Sequence, residues 1–388
     1  MKRTIELRQL SMGFALVAIS AFFALHPKSA QFLSPQNLSN LSIELSVTAT
    51  LALGMLLVLL PGMIDLSVGS GVGLLGGVAA VLVVIPEYLF QTKMPGWPAP
   101  LALGATLLLA LGIWALMGTL IAKFRVPAFI ITLGGLLVFK GLHWAVIHTS
   151  TIPVAPGGTE NLFSVLTTYY FPKWAGYAIF AAVTLALVVA RMRARRLRLQ
   201  HGFEVDDTEL GFLKLFVGAQ ALLVLVLVMN RHKGVPLSLV ILGVVVWAIQ
   251  MITQHTRFGR YLYAIGGNEE AAVLSGIPVN KVIIGAYVLL GGIVALTGFM
   301  QTAYGGYSTA TVGNLMELDA IAACVIGGTS LKGGRGNVLG VLFGALIMAT
   351  LLNGMTLLAV SPEVKLVARG TVLVVAVWLD VFLARKTT

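Results

Sequence analysis

A single cysteine, Cys324, stands in 388 residues, which excludes an intramolecular disulfide and any cysteine-built metal cluster. Charge is nearly as scarce. Only 11% of residues are Asp, Glu, Lys or Arg, the acids number 15, and the hydrophobic fraction is 58% with a mean hydropathy of +0.94. A soluble domain carries about 25% charged residues, so this balance excludes an ordinary water-soluble enzyme. Hydrolase and metalloprotease signatures are missing too: there is no G-x-S-x-G elbow, no H-E-x-x-H, and no paired intramembrane carboxylate with a base beside it. His143 and His148 have no supporting carboxylate nearby, so no spacing fits a metal site. Nowhere is there a G-x-x-x-x-G-K-[ST] phosphate loop. The Gly-rich run GGTSLKGGRG (327–336) has the wrong spacing and reads as a tight turn. If ATP drives this protein, another chain binds it.

What fills the sequence is apolar runs near the roughly 20 residues that a spanning helix needs. Twelve can be drawn, approximately at 10–26, 43–64, 65–84, 99–121, 127–147, 174–190, 212–229, 236–252, 282–300, 317–330, 336–358 and 363–382. The 43 glycines suit close helix–helix approach in a bilayer. The chain therefore reads as an all-α polytopic membrane protein, a single transmembrane domain over 1–388 with about 10–12 spanning helices. Lys2, Arg3 and Arg8 precede the first run, as in a signal peptide, but His26-Pro27-Lys28 follows it instead of a small-residue cleavage site. It is read as a retained first helix.

Basic residues orient the crossings. With the N-terminus inside, 18 of the 26 Lys and Arg residues fall on the inner side, among them the Arg191–Arg198 cluster, Lys214, Arg257, Arg260, Lys281, Lys332, Arg335, Arg385 and Lys386. Seven fall outside: Lys28, Lys93, Lys173, Arg231, Lys233, Lys365 and Arg369. The asymmetry predicts cytoplasmic N- and C-termini. It also accounts for most of the net charge of +11, so no nucleic-acid partner is implied, and the Arg-rich run beside a membrane helix reads as a topological anchor against anionic lipid.

Two places interrupt the pattern. Residues 61–70 (PGMIDLSVGS) put Pro, Gly and Asp between two apolar runs with no real loop, and 317–330 (ELDAIAACVIGGTS) is short and rich in small residues. Both read as discontinuous or re-entrant segments, which are tolerated at membrane depth only where they are buried in protein or line a cavity. Asp65 opens a small-residue run ending at Gly76-Gly77, and Asp319 opens one ending at Gly327-Gly328. The pairing suggests two pseudo-repeated halves, and interrupted segments in corresponding positions point to a transport pathway. Asp65, Ser67, Ser70, Glu317 and Asp319 are its candidate residues; the plainer reading is that each aspartate caps a helix N-terminus. Lys140, His143 and Trp144 are explained by snorkelling and an aromatic belt, and Arg369 by snorkelling. Asn353 reads as interhelical glue.

The most organised polar stretch is 257–281, RFGRYLYAIGGNEEAAVLSGIPVNK. After basic residues and a Gly266-Gly267 break, Asn268 stands as an N-cap, Glu269 and Glu270 fall in a first helical turn with Ala271 and Ala272 behind them, and Ser275-Gly276 stops the helix. A short capped helix presented from a membrane protein is a docking knob. Three readings follow: the membrane subunit of an ATP-powered importer, with this knob contacting a separate ATPase; an ion-coupled secondary symporter using Asp65 and Asp319; or an intramembrane enzyme using His143 or His148. Neither of the last two needs a capped helix in a hydrophilic loop.

The stretch 259–277 (GRYLYAIGGNEEAAVLSGI) resembles the cytoplasmic loop of the pentose and hexose ABC-importer permeases, the ribose/xylose/galactoside branch. Asp65–Ser70 (DLSVGS) and Glu317–Ser330 resemble that branch's other two signatures. The resemblance implies a non-enzymatic permease of the bacterial cytoplasmic (inner) membrane that binds no cofactor itself. Its implied partners are a second permease copy, an ABC ATPase that binds the ATP, and a periplasmic sugar-binding protein. Gly266, Gly267, Asn268, Glu269, Glu270, Ala271, Ala272, Ser275 and Gly276 then form the ATPase-coupling loop. Residues 174–229 exceed what compact ribose-type permeases carry and form an extra helical pair around a basic, Arg-rich cytoplasmic loop, as in the xylose-type members. The implied substrate is a monosaccharide, D-xylose first, with ribose, arabinose or galactose as alternatives.

Overall fold

A computed structural model describes residues 2–85, 90–91, 94–202 and 208–385. Lys93 and Lys386, both placed above from sequence, lie outside them. Among the described residues there are fifteen α-helices and one two-residue β-ribbon. In chain order the helices are α1 (Lys2–Leu25), α2 (Pro35–Leu59), α3 (Val68–Val84), α4 (Ala99–Phe124), α5 (Ala128–Ile147), α6 (Leu162–Thr168), α7 (Lys173–Gln200), α8 (Thr208–Asn230), α9 (Leu237–His255), α10 (Arg257–Gly267), α11 (Glu269–Leu274), α12 (Val279–Gly305), α13 (Met316–Ile326), α14 (Val338–Leu357) and α15 (Pro362–Arg385). Each of the twelve apolar runs has become one helix. Among the described residues, eight helices are long and apolar enough to cross a membrane: α2, α4, α5, α7, α8, α9, α12 and α14. The molecule is an all-α polytopic membrane protein.

The core is built around α2. Every residue from Leu51 to Leu60 is at most 1% exposed, except for the glycine among them, which is likewise buried. It is flanked by α9, α12, α13 and α14. The helix starts at Pro35, earlier than the apolar run at 43, because Ser34 caps it, its side chain accepting from the Asn37 amide at 3.2 Å, and Pro35 takes the first-turn position whose N–H has no helical use. The polar residues of that first stretch, Asn37, Ser39 and Ser42, are buried. They disguise as loop what is a helix packed on its polar side.

α12 lies against α4, and small residues set the distance. Trp114 of α4 is fully buried between Gly71 of α3 and Gly291 of α12, where an added methyl would come within 2.7 Å of the Trp114 Cβ on the α12 side. The Arg-rich run differs from expectation: it is not a loop after 190 but the end of α7, which continues to Gln200. Arg, Leu, Met and Ala are all strong helix formers, and nothing breaks the run before Gly202 at φ 69°. At about 1.5 Å per residue, the helix outruns a bilayer core of about 30 Å.

Close contacts fix which ends lie together. The ribbon pairs Ile152–Pro153 after α5 with Tyr307–Ser308 after α12. At the other end of α12, residues 330–336 meet residues 60–62 and 266–267. The segment from 309 to 330 therefore traverses the bundle, packed on α2, α14 and α15, and does not return to the side it left. Tyr170, after α6, bridges Pro236, before α9, and the Tyr304 hydroxyl near the end of α12 donates to Glu44 of α2 at 3.1 Å.

Candidate functional site

The polar island is two helices, not one. α10 is amphipathic and seats itself on the bundle through Leu262 and Ile265, both buried. Thr256 caps it, accepting from the Gly259 amide at 3.1 Å. Gly266 and Gly267, expected as a break, are its last helical residues. α11 follows at once. The Asn268 side chain accepts from the Ala271 amide at 2.9 Å, and Glu269 and Glu270 occupy the first turn. The helix closes through a bond from the Ile277 amide to the Ala272 carbonyl (3.1 Å) and one from the Gly276 amide to the Val273 carbonyl (2.9 Å), with Gly276 at φ 78°. This is the paired-bond C-terminal stop that glycine makes without a Cβ penalty. Ser275 returns its hydroxyl to the Ala271 carbonyl at 2.8 Å. Only Ala272 of α11 is buried, whereas Leu274 is 89% exposed. A rigid seat thus carries a capped knob with an apolar tip and an acidic base.

Beneath the seat, three chain segments meet by backbone. α2 ends at Pro61-Gly62: the proline offers no N–H, Gly62 takes φ 84°, and the amides of Gly62 and Met63 bond the carbonyls of Leu59 and Val58 at 2.9 Å each. The next carbonyl, Leu60, accepts from the Gly334 amide at 2.9 Å, in the turn that the Gly-rich run predicts. Gly266 lies against both: a methyl there would overlap the Leu60 carbonyl oxygen and the Gly334 amide nitrogen. Tyr263 of α10 donates its hydroxyl to the Gly336 carbonyl at 2.9 Å and receives Gln254 at 3.2 Å. Burial pushes the Tyr263 phenol above its ordinary value of 10.0, so it remains a donor.

Residues 60–67 are irregular backbone, where the interruption at 61–70 is expected. The second interruption differs from expectation: 317–330 is helical as far as Ile326, its Glu, Leu, Ala and Ile residues allowing a helix, and the irregular backbone lies before it, at 309–315. After the two irregular stretches, α3 and α13 start with their N-termini in contact. A methyl on Gly69 would overlap the Glu317 carboxylate and come within 2.7 Å of the Gly313 carbonyl; one on Gly313 (φ 81°) would lie 2.8 Å from the Gly73 amide. Glu317 and Ser70 thus flank the junction of the two discontinuous helices, Glu317 buried and Ser70 half-buried.

Asp65 and Ser67 do something else. Both are 0% exposed. One Asp65 oxygen accepts from the Ser67 amide (2.7 Å) and hydroxyl (2.6 Å), the other from the Trp114 indole N–H (3.0 Å). Thr132 of α5 donates to the Ile64 carbonyl at 3.2 Å. The carboxylate holds the break in shape: it takes up the Ser67 amide, which a continuing helix would have bonded, and ties the break to α4 through the Trp114 indole. Asp319 faces Arg369 of α15 at 3.4 Å, a charge contact outside hydrogen-bond geometry. Arg369 therefore does not snorkel away. Asp65 and Asp319 each have their own partners.

His143 departs from its expected belt position: it is buried against Gly73 and Gly77, with Nε2 at 3.3 Å from the Ser308 hydroxyl. Trp144 stays half exposed, donating to the Ala310 carbonyl at 3.4 Å, with Lys140 Nζ 5.9 Å from its ring centre. Asn353 is interhelical glue as expected. It accepts from Asn37 at 2.9 Å and donates to Glu44 at 3.2 Å. Sequence reasoning passed over Glu44 and Trp114. A lone carboxylate inside an apolar run was signal enough for the first; the second had none beyond being an aromatic among small residues. Among the described residues no group of three His, Cys, Asp or Glu side chains is placed to hold a metal.

A polytopic bundle with two discontinuous helices meeting at their N-termini is the architecture of a transport protein. Residues 37–377 match the family model described as the branched-chain amino acid transport system / permease component, and the chain belongs to that permease family. It is 37% identical over 390 residues to the xylose transport system permease protein XylH of Escherichia coli (strain K12), covering 99% of this chain and 94% of the relative. The XylH protein of Haemophilus influenzae is 37% identical over 97% of each chain. The ribose import permease protein RbsC of Escherichia coli (strain K12) is 36% identical, covering 96% of this chain and 94% of the relative. No solved structure matches.

Proposed function

We propose that this chain is the membrane-spanning subunit of an ATP-driven importer that passes a monosaccharide, D-xylose first, received from a periplasmic binding protein. The observation that carries this reading is α11: a capped helix with an 89% exposed leucine, on a seat that packs by backbone against the interior of the bundle. α11 is the surface for a separate ATPase subunit, which binds and hydrolyses the ATP, so this chain is not itself an enzyme. Two permease copies form the channel in the cytoplasmic (inner) membrane, with both termini on the ATP side, in keeping with the inward bias of basic residues. Xylose stands first among the sugars because residues 174–229 exceed what compact ribose-type permeases carry and because relatives named for xylose transport are 37% identical, against 36% for the ribose relative.

The sugar's path runs beside the two discontinuities. Ser70 and Glu317 flank the α3–α13 contact, Asp65 and Ser67 hold the first discontinuity in shape, and Asp319 faces Arg369 in the first turn of α13. The symporter reading loses ground on the same geometry. A coupling cation needs a carboxylate with free lone pairs, and Asp65 has both oxygens engaged by donors while Asp319 faces a guanidinium.

Replacing Glu269 by Lys together with Gly276 by Val should detach the ATPase. Gly276 sits at φ 78°, where a β-branched residue is strained by about 1–3 kcal/mol, and the charge reversal removes the acidic first turn. The test is co-purification of the ATPase with the tagged permease; a normal ratio in the double variant overturns the docking role. Substrate is tested by labelled xylose uptake in competition with ribose, arabinose and galactose. Equal or better competition by another sugar would displace xylose from first place.

A further inference from the structure

The three segments that meet under α10 belong to parts of the molecule with different duties. Residues 60–62 close α2 and open the first discontinuity; 330–336 close α13 and lead into α14; Gly266 ends the seat of α11. Their contacts are made of backbone. Gly333, at φ 89°, brings its Cα to a position where a methyl would lie 2.9 Å from the Gly266 Cα and the Leu60 carbonyl oxygen and 2.8 Å from the Gly62 amide. Gly334, at φ 73°, is placed so that a methyl would lie 3.0 Å from the Gly267 amide, and its own amide holds the Leu60 carbonyl at 2.9 Å. Side chains absorb small displacements by changing rotamer; close-packed backbone has no such slack and passes a displacement on. The Tyr263 hydroxyl adds a strap from α10 to the Gly336 carbonyl.

We propose that this glycine junction, Gly62–Gly266–Gly333–Gly334 with Tyr263, is the transmission by which movement of α11 reaches both discontinuous segments, through the end of α2 into 61–67 and through the 330–336 turn into α13. The inference rests on α11 being the ATPase contact, but it concerns a separate step. Docking belongs to α11's exposed face, transmission to the buried face of α10. Gly266, Gly334 and Tyr263 are positioning residues: they touch neither nucleotide nor sugar. Because one junction serves both segments, the two discontinuities move together, as alternating access around their contact at Gly69 and Glu317 requires.

The test uses the whole importer, permease with ATPase and binding protein, reconstituted in vesicles. Gly266→Ala should leave the ATPase co-purifying at the normal ratio, lower xylose uptake roughly tenfold or more, and abolish the rise in ATP hydrolysis on adding sugar-loaded binding protein. Tyr263→Phe should move uptake per ATP in the same direction by roughly two- to fivefold. Gly112→Ala, on a face of α4 with nothing within 4 Å of the new methyl, should match wild type. Normal uptake in Gly266→Ala overturns the proposal, and so does loss of the ATPase along with uptake, since the junction would then serve docking. If Gly266→Ala fails to accumulate, Tyr263→Phe decides: unchanged uptake per ATP overturns transmission. The docking reading fails on a different result, namely retention of the ATPase by the Glu269 and Gly276 variant.

Discussion

Trp114→Ala should destabilise the protein by about 3–5 kcal/mol, the range for deleting a large buried aromatic, and should nearly abolish uptake. The indole does two jobs. Its body is wedged between Gly71 and Gly291, glycines whose missing side chains make the room for it. Its N–H is one of three donors on Asp65, the residue that shapes the first discontinuity. Truncation opens a cavity and also leaves one carboxylate oxygen without its donor, and the second loss adds to the first. Trp114→Phe separates them: it keeps most of the volume and removes only the donor, so about 1–3 kcal/mol should be lost. Asp65→Asn should resemble Trp114→Phe, because an amide nitrogen facing the indole N–H sets donor against donor. The measurement is the denaturation midpoint of purified protein in mixed micelles, with uptake measured in parallel. If Trp114→Phe is as damaging as Trp114→Ala, the volume assignment is wrong. If it costs nothing, the Asp65 contact is not holding the break.

These two residues also mark how far the sequence can be read. The helices themselves were legible because a run of about 20 apolar residues has few alternatives, and the α11 cap and stop were legible because Asn268 and Gly276 act on neighbours three to five positions away. The break at Pro61-Gly62 announced itself by composition; the second was set too late, at 317–330, because the small residues that suggested it belong to α13 and the irregular backbone precedes Met316. Less visible were helices whose inward face is polar or whose outward face is charged. Asn37, Ser39 and Ser42 hid the first turns of α2, five arginines hid the end of α7, and basic residues made α10 look like a loop although Leu262 and Ile265 bury its other side. Least visible were the contacts that join distant segments. Gly266 touching Leu60, and Trp114 serving Asp65, leave no periodic trace, because a glycine is chosen there for what approaches it and not for what precedes it in the chain.

Gly69→Ala should stop transport. Its methyl would overlap the Glu317 carboxylate and crowd the Gly313 carbonyl and the Glu317 amide, at 2.7 and 3.0 Å. Of these, the backbone atoms cannot give way without moving the start of α13. Overpacking of this kind costs about 1–3 kcal/mol and more when backbone must shift. The side-chain part of that cost can be isolated. Glu317→Ala alone removes the carboxylate and leaves the backbone contact intact, and in the double variant the worst overlap is gone. The two changes should therefore be non-additive, with the double variant recovering about 1 kcal/mol relative to the sum of the singles. It should also regain part of its uptake if the α3–α13 contact, rather than the charge on Glu317, is what transport needs. Strict additivity in stability would mean that the two residues do not meet. Recovery of stability with no recovery of uptake would instead make the Glu317 carboxylate itself part of the sugar's path, since packing would be restored while a group able to accept hydrogen bonds from sugar hydroxyls stayed missing.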